Sequence, residues 1–180
     1  MDYRRPGHLF DWADYAGRLA AHSLARLGGT SGPVLRIEPG RAVSAYSGWY
    51  VSQVLELKRS YGEWFAVCLG GTHPLRTPAA KGHDQPLVVL PDQTWERPWE
   101  RPWERPDTGA AAPPVTFVGQ LCTPKDVLAS RVRAGRVRTG DLVVFALAGA
   151  YSFNISHRDF LLHPAPRVVH LDGAAGVSER

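Results

Sequence analysis

The chain has 180 residues and a formal net charge of +4, and 44% of its residues are hydrophobic. This length accommodates one core, or one core with an appendage, and no window approaches the ~20 consecutive apolar residues of a membrane span. The N-terminus has no apolar signal-peptide region, and the two cysteines, Cys68 and Cys122, lack the paired spacing of a zinc site. We therefore expect a cytoplasmic protein without a disulfide framework or bound metal.

The basic excess comes from 21 Lys and Arg against 17 Asp and Glu. A phosphate ligand or a nucleic acid is one interpretation of such a balance. The arginines are scattered, however, and residues 131–138 carry theirs among turn-like residues without a nucleic-acid-binding motif. We therefore expect neither a nucleic acid nor a membrane as partner.

Residues 11–27 show the spacing of an amphipathic helix. Their apolar residues recur every three or four positions, Asp11 can cap the start, and Gly28 and Gly29 can end the helix. A short β-like run follows at residues 34–37, and Pro39 and Gly40 then turn the chain. A helix, a strand and a polar turn in this order are typical of an α/β barrel.

The rest of the chain has the pattern of a β domain. Short β-rich runs separated by turn residues predict a barrel or sandwich, and the first two runs predict a hairpin. The predicted strands are residues 50–58, 63–69, 86–90, 115–118, 141–146 and 167–171.

Residues 91–114 are predicted to be a loop insertion. They contain three tandem Trp-Glu-Arg-Pro repeats, and a proline at every fourth residue prevents a continuous helix. A repeat expansion tolerated in a surface loop is the simpler interpretation. Ligand binding by the tryptophans is the alternative.

Glu38 and Arg41 place a carboxylate and a guanidinium three residues apart at a predicted strand end. Barrel enzymes keep their chemistry at such ends, although a surface ion pair has the same appearance. Three segments occur in a fixed order along the chain. They are Glu-Pro-Gly-Arg at 38–41, Val-Gly-Gln-Leu-Cys-Thr-Pro-Lys-Asp at 118–126, and Gly-Asp at 140–141 followed by Gly-Ala-Tyr at 149–151. Together they resemble the motifs of the fold-type III pyridoxal-phosphate-dependent decarboxylases, the ornithine/diaminopimelate/arginine family.

The resemblance implies a mainly β chain with an α/β remnant. Residues 1–41 would be the last helix and strand of a (β/α)8 barrel, and residues 42–180 a Greek-key-like β-barrel or sandwich domain. The implied cofactor is pyridoxal 5'-phosphate, an electron sink for the carbanion formed when carbon dioxide leaves.

The resemblance also implies a role for individual residues. Glu38 would hold the proton on the pyridine nitrogen, while Gly40, Arg41 and Tyr151 would bind the cofactor phosphate. Cys122 would reach the active site of a partner subunit in a homodimer and handle a proton there. Its alternative is a small buried hydrophobe, which is the interpretation that we give to Cys68.

One position departs from the family pattern. Relatives that act on diamino acids usually carry Glu or Asp after the cysteine, whereas this chain has Thr123, which cannot pair with a distal ammonium. Residues 70–79 and 151–164 resemble the siderophore-biosynthesis branch, where the amino-acid substrate can be conjugated to citrate. Arg76 or a histidine (His73, His157, His163) would contact that anion. For the histidines, a purely structural role is the equal alternative.

The family's Schiff-base lysine and most of its barrel have no counterpart. An eight-stranded barrel takes about 250 residues, and the lysines Lys58, Lys81 and Lys125 all follow Glu38. We therefore expect a chain that is inactive alone: a fragment, half of an enzyme with a separate barrel-bearing chain, or a noncatalytic dimerisation or regulatory module. A racemase is disfavoured because alanine racemases of this fold place an arginine where Glu38 stands.

Overall fold

The computed structural model of the chain describes residues 10–22, 36–92, 112–172 and 176–179. The helices are α1 (Trp12–Ala21), α2 (Arg41–Ser44) and α3 (Arg76–Lys81). The strands are β1 (Tyr50–Ser60), β2 (Glu63–Cys68), β3 (Leu87–Leu90), β4 (Val115–Val118), β5 (Val127–Val132), β6 (Leu142–Phe145), β7 (Val169–Asp172) and β8 (Gly176–Glu179). No helix within these residues is long and apolar enough to cross a membrane.

Six strands form one sheet in the order β3-β6-β1-β2-β4-β5, and β7 and β8 form a separate hairpin. Within the larger sheet, β2 and β4 are parallel and the other neighbours are antiparallel. The turn between β1 and β2 is Tyr61-Gly62, and both residues have positive φ. That backbone suits a tight two-residue hairpin turn, which confirms the predicted hairpin.

The two ends of the sheet are joined just before β3. The backbone N–H of Gln85 donates to the Leu128 carbonyl of β5 at 3.0 Å, and the Ser130 N–H donates to the Asp84 carboxylate at 2.7 Å. The Gln85 side chain is buried and donates to the Ala146 carbonyl beyond β6. These bonds give the sheet the closure of a β-barrel, which leaves fewer unpaired edge groups.

The core lies inside this curved sheet. Alternate residues of the strands point inward, because successive side chains of a strand face opposite sides. The largest buried apolar side chains are Phe117, Phe145, Leu75 and Leu128. Cys68 is fully buried among them, which confirms its interpretation as a small core residue. Burial raises the pKa of its thiol to about 12.

The outer face of β3, β6 and β1 is apolar and exposed. Val51 opposes Val144, which opposes Val88, and the next row contains Leu142 and Leu90. Cross-strand partners share a face of the sheet, and Val51, Val88, Leu90 and Leu142 are 40–60% exposed. A contiguous apolar surface of this kind is typical of an interaction site.

The N-terminal elements are shorter than predicted. Asp11 caps α1 as expected, accepting from the N–H groups of Ala13 and Asp14 at 2.9 Å, but His22 has an extended backbone and ends the helix there rather than at residue 27. No residue of α1 is buried, so tertiary packing does not stabilise further turns. Residues 36 and 37 are not in a strand, while residues 23–35 lie outside the described part.

Most predicted strands of the β domain are present within one or two residues of their expected bounds. The elements α2, α3, β5 and β8 were not predicted from the sequence. The prediction of a turn region around Arg131 was wrong, because Arg131 lies on β5. A positive φ interrupts β5 at this residue. Of the predicted loop insertion, residues 93–111 lie outside the described ranges.

The two cysteines are expected to differ in reactivity. Iodoacetamide at about pH 8 should modify Cys122 in the native chain and spare Cys68, because the thiolate is the nucleophile and Cys68 is both buried and high in pKa. Intact mass and peptide mapping measure this. Cys122→Ser should take up no label until guanidinium unfolds it. Equal labelling of both cysteines in the native parent chain would contradict the burial of Cys68.

His73 is expected to make stability depend on pH. Its side chain is buried, and burial, followed by the nearby His163, lowers its pKa. The unfolded chain therefore binds a proton first as the pH falls, so stability is lost below the ordinary histidine pKa, at up to about 1.4 kcal/mol per pH unit for one group. Urea unfolding at several pH values should show a smaller slope for His73→Gln. The exposed control His83→Gln should keep the parent slope, and equal slopes in all three proteins would refute the assignment.

Candidate functional site

The turn at Gly40 and Arg41 meets Tyr151 from the far end of the chain. A Cβ atom at Gly40 would lie 2.8 Å from the Tyr151 hydroxyl oxygen, and the Arg41 guanidinium carbon lies 4.8 Å from the centroid of the Tyr151 ring. A side chain at position 40 would displace the Tyr151 hydroxyl from this place. The structure thus brings together three of the four predicted cofactor residues, with Glu38 exposed two residues earlier.

Two glycines hold these segments against each other. A Cβ atom at Gly149 would lie 2.1 Å from the Ser44 carbonyl oxygen, and one at Gly48 would lie 2.6 Å from the Gly149 backbone. The N–H groups of Gly149 and Ala148 donate to the carbonyls of Ala45 and Gly48 at 3.1 and 2.9 Å. The Gly-Ala-Tyr segment is therefore fixed by backbone contacts, and Tyr151 follows with a positive φ.

The turn that carries Cys122 is anchored by the buried carboxylate of Asp126. Asp126 accepts from the Leu121 N–H at 2.8 Å, the Thr72 N–H at 2.6 Å and the Thr72 hydroxyl at 2.9 Å. Side chains at Gly71 and Gly119 would collide with this carboxylate. Asp126 thereby joins the loop after β2 to the turn after β4 and leaves Cys122 exposed with a free thiol.

Arg76 and Thr123, the two predicted substrate-binding residues, line the same cleft of about 420 Å³. The cleft lies between α3, the Cys122 turn and residues 155–160. Its full lining is Arg76, Ala80, Thr123, Lys125, Ile155, Ser156, His157 and Phe160. The lining contains two permanent cations and no carboxylate, so the cleft suits an anionic group.

The three histidines singled out from the sequence separate into two roles. His157 lines the cleft, and its Nε2 lies 3.4 Å from the Thr72 hydroxyl oxygen. His73 is buried beside His163, with ring centroids 5.4 Å apart. Sequence reasoning assigned no role to Lys125, Asp126 or Thr72. Asp126 stood in a quoted motif, whereas the positions of Lys125 and Thr72 beside the cleft depend on tertiary contacts.

A second buried carboxylate, Asp141, has a structural place. It accepts from the Arg138 N–H at 2.7 Å and from the Asp92 N–H at 3.0 Å. These bonds tie the chain at residue 92 to the start of β6. The Gly-Asp pair at residues 140–141 therefore fixes the start of β6.

Comparison with known proteins identifies the family. Residues 30–149 match the model of the pyridoxal-dependent decarboxylase, C-terminal sheet domain. The chain is 40% identical over 137 residues to the 2-[(L-alanin-3-ylcarbamoyl)methyl]-2-hydroxybutanedioate decarboxylase of Staphylococcus aureus, covering 76% of this chain and 33% of that protein. It is 34% identical over 135 residues to the L-glutamyl-[BtrI acyl-carrier protein] decarboxylase of Niallia circulans, covering 72% of this chain and 29% of that protein.

Among solved structures, the fold is similar to that of a diaminopimelate decarboxylase from M. jannaschi, with a TM-score of 0.77 and 19% identity over 99% of this chain and 37% of that chain. This likeness confirms the predicted mainly β fold. The chain spans about a third of the length of the curated relatives it matches. It belongs to the pyridoxal-dependent decarboxylase family and contains the C-terminal sheet domain of that family.

Proposed function

We propose that this chain supplies the cofactor-phosphate contacts and the acid cysteine of a pyridoxal-phosphate-dependent amino-acid decarboxylase, a carboxy-lyase. The observation that carries the proposal is the convergence of Gly40, Arg41 and Tyr151 from opposite ends of the domain. A module with only a structural role has no need for a guanidinium and a phenol at a glycine cradle. An enzyme part is therefore favoured over a noncatalytic dimerisation or regulatory module.

The donors at this place fit a phosphate dianion. Arg41 offers a planar fork of N–H groups, Tyr151 offers a hydroxyl, and Gly40 allows close approach to the backbone. Glu38 would keep the ring nitrogen protonated. When bound, pyridoxal phosphate supplies the electron sink that decarboxylation requires. The chain's own residues orient and hold it.

Cys122 is proposed as the group that moves a proton. Its thiol is exposed, and the next residue in the chain, Thr123, lines the cleft. After carbon dioxide leaves, the Sγ–H would protonate the substrate carbon in the active site of a partner subunit. The proposed assembly is therefore a homodimer, and the exposed apolar face of β3, β6 and β1 is available for packing against other protein.

The lysine that binds the cofactor is proposed to lie outside this sequence. Lys125 lines the anion-binding cleft, and Lys58 and Lys81 are exposed on β1 and α3. Residues 1–41 are interpreted as the end of a barrel, since α1 has apolar residues but buries none of them here. The rest of the barrel would belong to the same gene or to a separate chain.

The proposed substrate is an amino acid conjugated to a carboxylate such as citrate, as in siderophore biosynthesis. Thr123 cannot form an ion pair with a distal ammonium, and it shares its cleft with Arg76 and Lys125. Two relatives have names that describe conjugated amino acids, one joined to a 2-hydroxybutanedioate and one to a carrier protein. Free diamino acids are disfavoured by the two cations.

A chimera tests the activity. The C-terminal segment of the S. aureus relative is replaced by this chain, and carbon dioxide release from that enzyme's substrate is measured. The folded chimera should be active, and Cys122→Ser should lower kcat about 100-fold or more, the usual range for lost proton transfer. Cys68→Ala, the matched thiol control, should leave kcat per folded molecule unchanged. A folded, dimeric chimera without turnover, or a Cys122→Ser variant with parental kcat, would exclude the proposal.

Tyr151→Phe in the same chimera separates cofactor binding from catalysis. The ring that packs on Arg41 is retained and only the hydroxyl is lost, so the Kd for pyridoxal phosphate should rise about tenfold while kcat at saturating cofactor stays close to the parent value. Fluorescence titration of cofactor measures the change. Tyr61→Phe, at the exposed hairpin turn, is the control. Equal cofactor affinity in both variants would remove Tyr151 from the phosphate site.

A further inference from the structure

The loop between β2 and α3, residues 69–75, is held from β1 by two hydroxyl groups. Ser52 donates to the Leu69 carbonyl at 2.7 Å, and Tyr50 donates to the same oxygen at 3.1 Å. These roles are fixed, because a carbonyl oxygen can only accept and has two lone pairs. The Leu69 N–H donates in turn to the Gln53 carbonyl of β1 at 2.8 Å. We call the two hydroxyls and the carbonyl that they share the Leu69 clamp.

The surroundings of the Leu69 clamp keep Tyr50 in place as a donor. The Tyr50 ring stacks on Phe145 with the centroids 5.8 Å apart. Burial raises the pKa of Tyr50 to about 12, so the phenol keeps its proton at neutral pH. Gly70 has a φ of 87°, and a Cβ atom there would lie 2.6 Å from the Tyr50 hydroxyl oxygen. The loop therefore follows a path that leaves room for this hydroxyl.

The same loop holds the turn that carries Cys122. The carbonyl of Gly70 accepts from the Gln120 N–H at 2.8 Å. The N–H and the hydroxyl of Thr72 donate to the buried Asp126 carboxylate at 2.6 and 2.9 Å. Gln120 precedes Cys122 and Asp126 follows it, so both sides of the turn are bonded to one loop. The Leu69 clamp fixes that loop to β1.

We propose that Tyr50 and Ser52 are positioning residues for proton transfer by Cys122, acting through the loop that their hydroxyls hold. Neither residue belongs to the lining of the cleft. A group that transfers a proton must come within hydrogen-bond reach of the reacting atom, and a displacement of about 1 Å lowers the rate. The inference rests on the proposed function, which gives Cys122 its role, and adds two residues of β1 to the groups that determine turnover.

Amide hydrogen exchange of the purified chain tests the path. The double variant Tyr50→Phe/Ser52→Ala removes both donors of the Leu69 clamp and keeps an aromatic ring against Phe145. The Gln120 N–H should exchange about tenfold faster, because the loop that carries its acceptor is released. The amides of β5 should exchange at the parent rate. Unchanged exchange at Gln120, or equal acceleration in β5, would overturn the proposal.

Turnover is measured in the chimera with the S. aureus relative. The double variant should lower kcat about tenfold or more, because the thiol is misplaced. KM and the Kd for pyridoxal phosphate should stay close to the parent values, because the binding contacts are retained. The matched control is Tyr46→Phe, since the Tyr46 hydroxyl is buried and has no hydrogen-bond partner among the described residues. It should keep the parent kcat. A raised KM or Kd with parental kcat in the double variant would contradict positioning.

A double-mutant cycle decides whether the Leu69 clamp acts through the cysteine. In the Cys122→Ser background, Tyr50→Phe/Ser52→Ala should lower the residual kcat no further. The same fold loss in both backgrounds would make the clamp merely structural and reject the positioning role alone. Parental kcat in Cys122→Ser itself would instead reject the proposed function. If the double variant does not fold, Tyr50→Phe alone, with an expected loss of about threefold, completes the same cycle.

Discussion

The carboxylate of Asp126 is the constraint on which the candidate substrate region depends. It is buried, so it must be paired with donors, and it finds them on two separate loops, at Thr72 and at Leu121. Gly71 and Gly119 leave the space that the carboxylate occupies. The Cys122 turn and the cleft wall therefore form one unit, and neither loop can shift without leaving a buried charge unsatisfied.

Close steric contacts, rather than electrostatic ones, hold together a second unit, the two segments around Gly40 and Tyr151. Gly40, Gly48 and Gly149 let two backbone segments approach so closely that Tyr151 lies against the Gly40 turn. The chain then continues from Tyr151 through Ile155 to His157, which lines the cleft. One short segment thus links the proposed cofactor contacts to the proposed substrate contacts, and both depend on the closed sheet beneath them.

The strength of local patterns decided what the sequence could predict. The β1–β2 hairpin was predictable because its apolar alternation and its Tyr61-Gly62 turn agree. β5 was missed because Arg131 and its neighbours suggested a turn, although Leu128 and Ala129 pack in the core. α3 was missed because a helix of six residues is too short to show an apolar periodicity, and its Pro78 lies in the first turn, where a helix tolerates proline.

The residues of the candidate site also divide into those that local motifs predict and those that depend on tertiary contacts. Glu38, Gly40, Arg41, Cys122 and Tyr151 were predicted through ordered motifs, and the structure brings Gly40, Arg41 and Tyr151 together. The positions of Lys125, Thr72 and His157 depend on contacts between distant segments that no periodicity encodes. Closure of the sheet through Gln85 and Leu128 likewise depends on a contact between distant segments.

The most direct test of the central claim, that the chain holds part of a cofactor site whose lysine lies elsewhere, is a visible absorption spectrum with pyridoxal phosphate. The purified chain is mixed with the cofactor, reduced with borohydride, and mapped by peptide mass. No stoichiometric adduct should form on Lys58, Lys81 or Lys125. A distinct absorption band trapped on one of these lysines would contradict it, because the chain would then build a complete cofactor site by itself.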